Sequence, residues 1–186
     1  MADSNITKRA LASALRELMQ EVPFDKIQVT HICERCDMNR KSFYYHFMDK
    51  YDLVNWIFDT EFITLAMEGS NEMPSDDRWE LIERVCEYFY ENRDFYRKAL
   101  KIKGQNSFSD HLQEYYFPLI KLRVARLISD DAAEDFTVNF FTDAVICTIE
   151  RWLSDKECMT PVLLVSKLKR IVEGSAAAIY KEMNLT

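Results

Sequence analysis

Side chains that can hydrogen-bond to a nucleic acid are concentrated in one stretch of this 186-residue chain, between residues 39 and 50. Arginine can bond the edge of a guanine through two hydrogen bonds, and lysine, serine, tyrosine and histidine commonly hold phosphates. A helix predicted to begin near Asp49 adds free backbone amides for another phosphate. The candidate contacts are Arg40, Lys41, Ser42, Tyr44, Tyr45, His46 and Lys50. These residue types predict contact with a nucleic acid.

The elements that must position these side chains are two short helices joined by a tight turn. Helical patterns cover residues 28–35 and 39–47, with Cys36-Asp37-Met38 as the turn between them. Asn39 can cap the second helix, and Phe43 and Phe47, four residues apart, can pack together against the first. An amphipathic helix over residues 5–20 precedes this pair. The arrangement predicts a helix-turn-helix.

The composition predicts an all-α protein. Glycine occurs three times and proline four times, and runs of β-branched residues are few. Helical patterns resume after residue 76, beyond a linker predicted from Gly69 through Asp77. Pro118 predicts a kink or break in a helix over residues 107–129. We expect about nine helices in two parts, namely a three-helix head with the helix-turn-helix at residues 1–50 and a helical body at residues 51–186.

The net charge of −7 is unevenly distributed along the chain. Residues 1–55 hold eight Lys or Arg residues and eight Asp or Glu residues, whereas residues 56–186 hold 16 and 23. A neutral head can still carry a local basic face, but the sequence shows no strong electrostatic footprint of DNA binding. The five cysteines are an odd number, and no export signal or transmembrane segment is evident. We therefore expect reduced thiols, a cytoplasmic location and no contact with a membrane.

Residues 27–53 resemble the DNA-binding head of the tetracycline-repressor (TetR/AcrR) family of bacterial transcription regulators. The pattern of that family is roughly T-V-x-x-I-A-x-x-A-G-V-S-x-x-T-F-Y-x-[HY]-F-x-x-K-x-x-L. The matching positions are Val29, Ile32, Ser42, Phe43, Tyr44, His46, Phe47, Lys50 and Leu53, with Asn39 at the capping serine. The departures are Gln28 for the usual threonine, Cys33 and Cys36 for alanines, and Asp37 for the turn glycine. The resemblance adds Gln28, Thr30 and Asn39 to the expected DNA contacts.

Within the family, the run Ile57, Phe58 and Phe62 and the segment E-N-R-D-F-Y at residues 91–96 are most similar to the branch that includes the dihydroxyacetone-kinase operon activator. The resemblance implies a transcriptional regulator that is not an enzyme and needs no cofactor or metal. It also implies a homodimer in which the last two long helices of each copy form a four-helix bundle. Such a dimer would place two recognition helices about 34–36 Å apart on a palindromic double-stranded DNA operator. An unknown effector, a small molecule or a protein, would shift the population of dimers between conformations that differ in the spacing of the two recognition helices.

Two further sets of residues are expected in the body. Aromatic residues of the middle helices can line an effector cavity, although plain core packing is the better interpretation for any single one. The candidates are Trp79, Tyr88, Phe89, Tyr96, Phe108, His111 and Tyr115, within a wider aromatic set that includes Tyr116. The last two helices are strongly apolar, and a monomer has only one core in which to bury them. The dimer interface is therefore expected at Phe140, Ile149, Trp152, Ile171, Gly174, Ala177 and Ala178.

Other functions find less support in the sequence. The run His31-x-Cys33-x-x-Cys36 brings three potential zinc ligands together, but zinc normally takes four, and no second cluster of Cys and His follows. A small all-α enzyme lacks an identifiable pair of carboxylates, triad or metal set. A protein-interaction module remains an alternative, in which a partner protein docks on the acidic body and controls the DNA-binding state.

Overall fold

The computed structural model describes residues 2–69, 78–104, 107–124 and 131–183, and all regular structure in these ranges is helical. This confirms the predicted all-α class. The helices of these ranges are α1 (Ala2–Glu21), α2 (Val29–Arg35), α3 (Arg40–His46), α4 (Lys50–Gly69), α5 (Arg78–Glu91), α6 (Arg93–Ala99), α7 (Phe108–Val124), α8 (Asp131–Ser154) and α9 (Pro161–Met183). A 3₁₀ turn at Phe24–Lys26 lies between α1 and α2. Most of the predicted linker, residues 70–77, lies outside the described residues.

The first compact unit comprises residues 1–64 and 92–108. Within it, α1 packs against α2, α3 and α6, and α2 packs against α3. Its core is built from apolar side chains of all these helices, of α4 and of the first residue of α7, among them Leu11, Leu15, Ile32, Phe43, Leu53, Phe58, Tyr96 and Phe108. The helix-turn-helix is therefore supported by the same core as α6.

The second compact unit comprises residues 65–91 and 109–186, and in it α5 packs against α8 and α9. The indole N–H of Trp79 on α5 donates to Glu173 Oε1 on α9 at 2.9 Å. The core includes Ile82, Val85, Cys86, Phe89, Leu112, Tyr116, Val138, Val145, Ile149, Trp152, Leu164 and Leu168. None of the described helices combines the length with the apolar run that a bilayer crossing requires. The predicted functional boundary at residue 50 stays a prediction.

Side-chain caps begin three of the helices, as local sequence predicts. Asn39 Oδ1 accepts the N–H of Ser42 at 2.9 Å at the start of α3. Asp49 Oδ1 accepts two amides of the first turn of α4, each at 2.8 Å. Thr160 Oγ1 accepts an amide at 3.4 Å ahead of α9, whose first residue is Pro161. Each cap satisfies donors that the first helical turn leaves without intrahelical acceptors.

α7 continues through Pro118 without interruption. Proline removes one backbone donor and crowds the preceding turn, so the sequence predicts a kink or break at this position. Tyr116, Leu119 and Ile120 on either side of it are buried. Their packing offsets the lost hydrogen bond, and no break occurs at the proline.

Candidate DNA-binding site

α3 is held in place by two aromatic side chains, one inside the helix and one directly after its last residue. Phe43 and Phe47 are buried, and their ring centroids lie 5.7 Å apart, as the four-residue spacing predicts. Phe47 also meets Trp56 of α4 edge to face at 5.7 Å. Fully burying a phenylalanine contributes about 1.5–3 kcal/mol. A rotation of α3 that exposed either ring would therefore be costly, which fixes the side that α3 presents to solvent.

The turn between α2 and α3 adopts a left-handed conformation at Asp37, whose φ is 53°. Glycine enters this region freely, and aspartate enters it more readily than most side chains. The N–H of Met38 donates to the carbonyl of Cys33 at 2.8 Å and closes the end of α2. The turn is therefore made with aspartate at the position where the family pattern has glycine.

Arg35 ties α2 to α1. Its guanidinium donates to both carboxylate oxygens of Glu21, at 2.8 and 2.7 Å, and to Glu17 at 3.4 Å. The hydrogen bond to Glu21 raises the pKa of Arg35, and the same bond lowers the pKa of Glu21. Because all three groups are largely exposed, this pairing serves chiefly to orient α2, and its contribution to stability is small.

Gln28 and Thr30, two of the expected DNA contacts, lie at the start of α2. The backbone N–H of Gln28 donates to His31 Nδ1 at 3.2 Å. The Thr30 hydroxyl donates to Gln28 Oε1 at 3.4 Å. Gln28 is exposed and Thr30 is half-buried, so the local hydrogen bonds order this end of α2 and leave polar groups at its surface.

The outer side of α3 carries the other polar residues predicted from the sequence. Asn39, Arg40, Lys41, Tyr44 and Tyr45 are exposed, and Ser42 and His46 are half-buried. The Arg40 guanidinium lies 5.8 Å from the centroid of the Tyr44 ring. The Tyr45 ring stands edge-on to the His46 ring at 4.9 Å. One short helix thus presents cations, hydroxyls and aromatic rings together, which is the chemistry that phosphates and base edges accept.

Lys50 has structural contacts that its residue type does not reveal. Its ammonium donates to the carbonyls of Phe24 and Ile27 at 2.8 and 2.9 Å and lies 4.3 Å from the centroid of the Phe24 ring. Partial burial lowers the pKa of Lys50. An ammonium has three N–H donors, so one is left beyond the two carbonyl bonds. Lys50 therefore joins α4 to the 3₁₀ turn, and its predicted contact with a phosphate stays a prediction.

The cysteines near the turn are packed as small apolar side chains. Cys33 is buried, and the thiol of Cys36 donates to the Ile32 carbonyl at 3.2 Å. Burial raises the pKa of both thiols, which favours the protonated form over the thiolate that metals bind. Within the described ranges, His, Cys, Asp and Glu side chains form no cluster of three that could hold a metal ion.

The predicted effector residues are divided between the two units. Tyr96 and Phe108 belong to the core of the first unit, where both are buried and their ring centroids lie 5.7 Å apart. The Tyr96 hydroxyl donates to Glu61, which also accepts from Arg16. The second unit holds the other five, Trp79, Tyr88, Phe89, His111 and Tyr115. An effector role for all seven stays a prediction.

Two clefts of the first unit are lined by other residues. One, of about 420 Å³, lies between residues 20–25 and residues 98–102. The other, of about 260 Å³, lies between α1 and α4 and includes Arg16 and Glu61. Neither of them is lined by a predicted effector residue, so the effector prediction gains no support from these two clefts.

A fully buried hydroxyl distinguishes Tyr116 from the other aromatic residues. In the described part of the chain, Tyr116 Oη has no hydrogen-bond partner of regular geometry. It lies beside the Cys86 thiol, and burial raises the pKa of Tyr116 and raises that of Cys86 to about 12. An unsatisfied buried polar group costs about 1–3 kcal/mol. The sequence placed Tyr116 only in the wider aromatic set, because burial of its oxygen leaves no signal in the pattern.

Two residues predicted for the dimer interface are buried within the chain itself. Ile149 is inaccessible, and Trp152 is buried with its indole N–H donating to the Met159 carbonyl at 2.8 Å. The Trp152 ring stacks on Tyr90 of α5, with centroids 5.9 Å apart. The expectation that a monomer would leave Trp152 exposed is therefore wrong, because α5 covers this side of α8.

Other residues of α8 and α9 are exposed. Phe140 and Ile171 each expose 60% of their surface, and Gly174 and Ala178 are also exposed. The side chain of Ala177 lies outside the described residues. Three further large apolar side chains of these helices, which were not among the expected interface residues, are exposed, namely Phe136 at 77%, Val162 at 53% and Leu163 at 48%. α8 and α9 thus carry large apolar side chains that nothing in the chain covers among the described residues.

Comparison with known protein families agrees with the helix-turn-helix and with the helical body. The model of the tetR family of bacterial regulatory proteins matches residues 11–57, and the model of a transcriptional regulator C-terminal region matches residues 77–174. The chain belongs to the TetR family of bacterial transcriptional regulators. It is accordingly a DNA-binding regulator and not an enzyme.

Among characterised proteins, the chain is similar to DhaS, the HTH-type dhaKLM operon transcriptional activator of Lactococcus lactis subsp. lactis (strain IL1403). The two are 31% identical over 102 residues, which cover 55% of this chain and 53% of DhaS. The match therefore spans about half the length of that relative. This relative is from the branch of the family to which the sequence was most similar.

Two solved structures share the fold. A TetR transcriptional regulator from Streptococcus agalactiae 2603V is 24% identical, with a TM-score of 0.68 over 92% of this chain and 96% of the other. The dihydroxyacetone kinase operon activator DhaS is 20% identical, with a TM-score of 0.62 over the same shares. At these identities the similarity concerns the fold alone.

Proposed function

We propose that two copies of this regulator associate through α8 and α9 and bind a palindromic operator, with one α3 in each half-site. The observation that carries the proposal is the exposed polar side of α3, backed by buried Phe43 and Phe47. A recognition helix held rigidly by its own core can enter a major groove without rearrangement. Gln28 and Thr30 at the start of α2, together with Lys50, supply contacts to the flanking backbone.

The exposed apolar side chains of α8 and α9 support the dimer. Phe136 and Phe140 lie one helical turn apart on α8, and Leu163 and Ile171 lie two turns apart on α9. All four are at least about half exposed in the single chain, and large uncovered apolar surfaces commonly mark protein interfaces. A two-fold axis uses the same surface on both copies and matches the symmetry of a palindrome.

We place the effector in the second unit. Tyr116 Oη is a buried polar group without a regular partner, and a small molecule with a hydrogen-bonding group would satisfy it. Trp79, Phe89, His111 and Tyr115 belong to the same unit. A ligand that prefers one arrangement of the body would shift the spacing of the two α3 helices and so change DNA affinity.

The effector proposal can be tested by thermal shift with a panel of small polar metabolites. A ligand of this site raises the Tm of the wild-type protein and has a reduced effect on Tyr116→Phe, which lacks the hydroxyl. Equal shifts in both proteins would contradict a role for this oxygen. Control by a partner protein is the alternative, and it would appear as DNA affinity that responds to the partner and to no metabolite.

These assignments place the functions of the protein in two parts of the chain. DNA binding resides in residues 1–50, and sensing and dimerisation reside in residues 51–186. The protein acts in the cytoplasm, where its five free cysteines stay reduced.

The DNA-binding proposal is tested by fluorescence anisotropy with a labelled operator duplex recovered by in vitro selection. Lys41→Ala and Tyr44→Ala should each weaken binding at least about fivefold while leaving the fold and the dimer intact, because both side chains are exposed. Lys156→Ala, an exposed lysine between α8 and α9, is the matched control and should keep wild-type affinity. Unchanged affinity of both α3 variants would contradict the placement of α3 in the groove.

A further inference from the structure

We propose that Lys41 and Tyr45 are the residues of α3 that read base identity. Lys41 bonds the O6 and N7 acceptors of a guanine, and the Tyr45 ring packs on the C5-methyl group of a thymine about two base pairs away. This assignment rests on the proposed function, because it concerns the same DNA interface. It goes further in predicting which bases each half-site must contain.

The orientation of α3 singles out these two side chains. An α-helix turns by about 100° per residue, so Lys41 and Tyr45 project from the side opposite the buried Phe43 and Phe47. Tyr45 exposes 82% of its surface, the largest fraction among the large apolar side chains of the described residues. The side of a recognition helix directed away from its core faces the floor of the groove, where the base edges lie.

The other polar residues of α3 lie on its two flanks. Arg40 and Tyr44 share one flank, where the guanidinium lies 5.8 Å from the centroid of the ring. Ser42 and His46, both half-buried, share the other. Groups on the flanks of a helix in the major groove face the sugar-phosphate backbones. We therefore assign positioning contacts to the four flanking side chains and sequence readout to Lys41 and Tyr45.

The chemistry of the pair selects the bases. Lysine or arginine on guanine O6 and N7 is the commonest specific contact in the major groove, and apolar side chains contact the thymine methyl. The Tyr45 ring is ordered by its edge-on contact with His46 at 4.9 Å, and most of its apolar surface stays exposed to solvent. Among the described residues, no carboxylate pairs with Lys41, so its ammonium can bond a guanine.

The spacing sets the distance between the two bases. Four residues of α-helix advance by about 6 Å, and neighbouring base pairs are about 3.4 Å apart. A helix lying along the groove therefore brings the two side chains to bases about two steps apart. Each half-site is expected to contain a guanine and a thymine at this separation.

The test uses the duplex recovered by in vitro selection and the full-length protein. Each thymine is replaced in turn by deoxyuridine, which removes only the methyl group, and each guanine by 7-deazaguanine, which removes only the N7 acceptor. At one thymine per half-site, deoxyuridine should weaken wild-type binding about fourfold, as expected for one buried methyl group. At one guanine per half-site, 7-deazaguanine should weaken it at least about fivefold.

Matched variants assign each effect to its side chain. Tyr45→Ala should bind the thymine and deoxyuridine duplexes equally, and Tyr45→Phe, which keeps the ring, should retain the preference for thymine. Lys41→Met, which keeps the length of the side chain but has no donor, should bind the guanine and 7-deazaguanine duplexes equally. Tyr44→Phe, on the flank, should keep both preferences.

The outcomes separate this inference from the proposed function. A wild-type protein that binds its selected duplex but tolerates every deoxyuridine and 7-deazaguanine would overturn the base assignment alone. A preference for thymine that survived in Tyr45→Ala, or for guanine N7 in Lys41→Met, would overturn that half of the assignment. If selection returned no preferred duplex, the operator proposal would fail, and this inference with it.

Discussion

Replacement of Phe140 by alanine should dissociate the proposed dimer without unfolding the protomer. A phenylalanine side chain can bury about 200 Å², within the range for aromatic residues, and Phe140 exposes 60% of its surface in the single chain. About 120 Å² at about 25 cal/mol per Å² corresponds to about 3 kcal/mol per copy. A two-fold interface contains the residue twice, so the upper value is about 6 kcal/mol.

Association also has entropic costs and imperfect packing, so the measured effect falls below that value. An interface residue with a sizeable energetic role costs more than about 1 kcal/mol per copy on truncation, which sets the lower value at about 2 kcal/mol. Sedimentation velocity over a wide concentration range should show a dimer dissociation constant raised between about 30-fold and about 10⁴-fold. Operator affinity should fall with it, although Phe140 belongs to the second unit and α3 to the first.

Two variants provide the comparison. Ile6 on α1 is similarly exposed, at 64% of its surface, and Ile6→Ala should leave sedimentation unchanged. Ile149→Ala removes a side chain that is buried in the core of the second unit and should lower the free energy of unfolding by about 2–5 kcal/mol. An unchanged dimer in Phe140→Ala, or a wild-type protein that sediments as a monomer at micromolar concentration, would refute the reasoning.

Three further predictions concern the stability of the folded chain. Burial raises the pKa of Cys86 to about 12 from an ordinary value of 9.0, so the free energy of unfolding should be insensitive to this thiol below pH 9 and should fall toward pH 12 by up to about 1.4 kcal/mol per pH unit. Denaturation in urea at several pH values should show this slope reduced in Cys86→Ala and kept in Cys158→Ala. Lys50→Met leaves two backbone carbonyls without their donor and should lower the free energy of unfolding by about 2–4 kcal/mol. The control Lys26→Met changes an exposed lysine and should leave that free energy unchanged. Equal urea midpoints for the two variants would disprove the role assigned to Lys50. Asn39→Ala removes the cap of α3 and should cost about 1 kcal/mol, with Asn39→Ser restoring most of it in the same assay.

The sequence predicted the helix-turn-helix well because its determinants are local. Asn39 caps α3, Asp37 takes the left-handed turn, and Phe43 meets Phe47 four residues later, and each of these depends on neighbours within a few residues. Such local signals can be read from spacing alone. The side of α3 that faces solvent follows from them.

The body of the protein was harder to predict because its determinants are tertiary. Apolar spacing indicates that Ile149 and Trp152 are buried, either in the core of the protomer or in a dimer interface. Only the packed helices show that α5 of the same chain covers Trp152. The two carbonyls that receive Lys50 lie more than 20 residues away in sequence. In the same way, the pattern does not separate Tyr96 in the first unit from Tyr116 in the second.

Selection of bound duplexes from a random pool tests most directly whether a symmetric dimer presents two α3 helices to DNA. We expect an inverted repeat whose half-sites lie one helical turn apart, about 10–10.5 base pairs centre to centre, or a multiple of it. Two protomers should be found on each duplex by native mass spectrometry. Enrichment of a single asymmetric site bound by one protomer, or of no sequence at all, would contradict the claim.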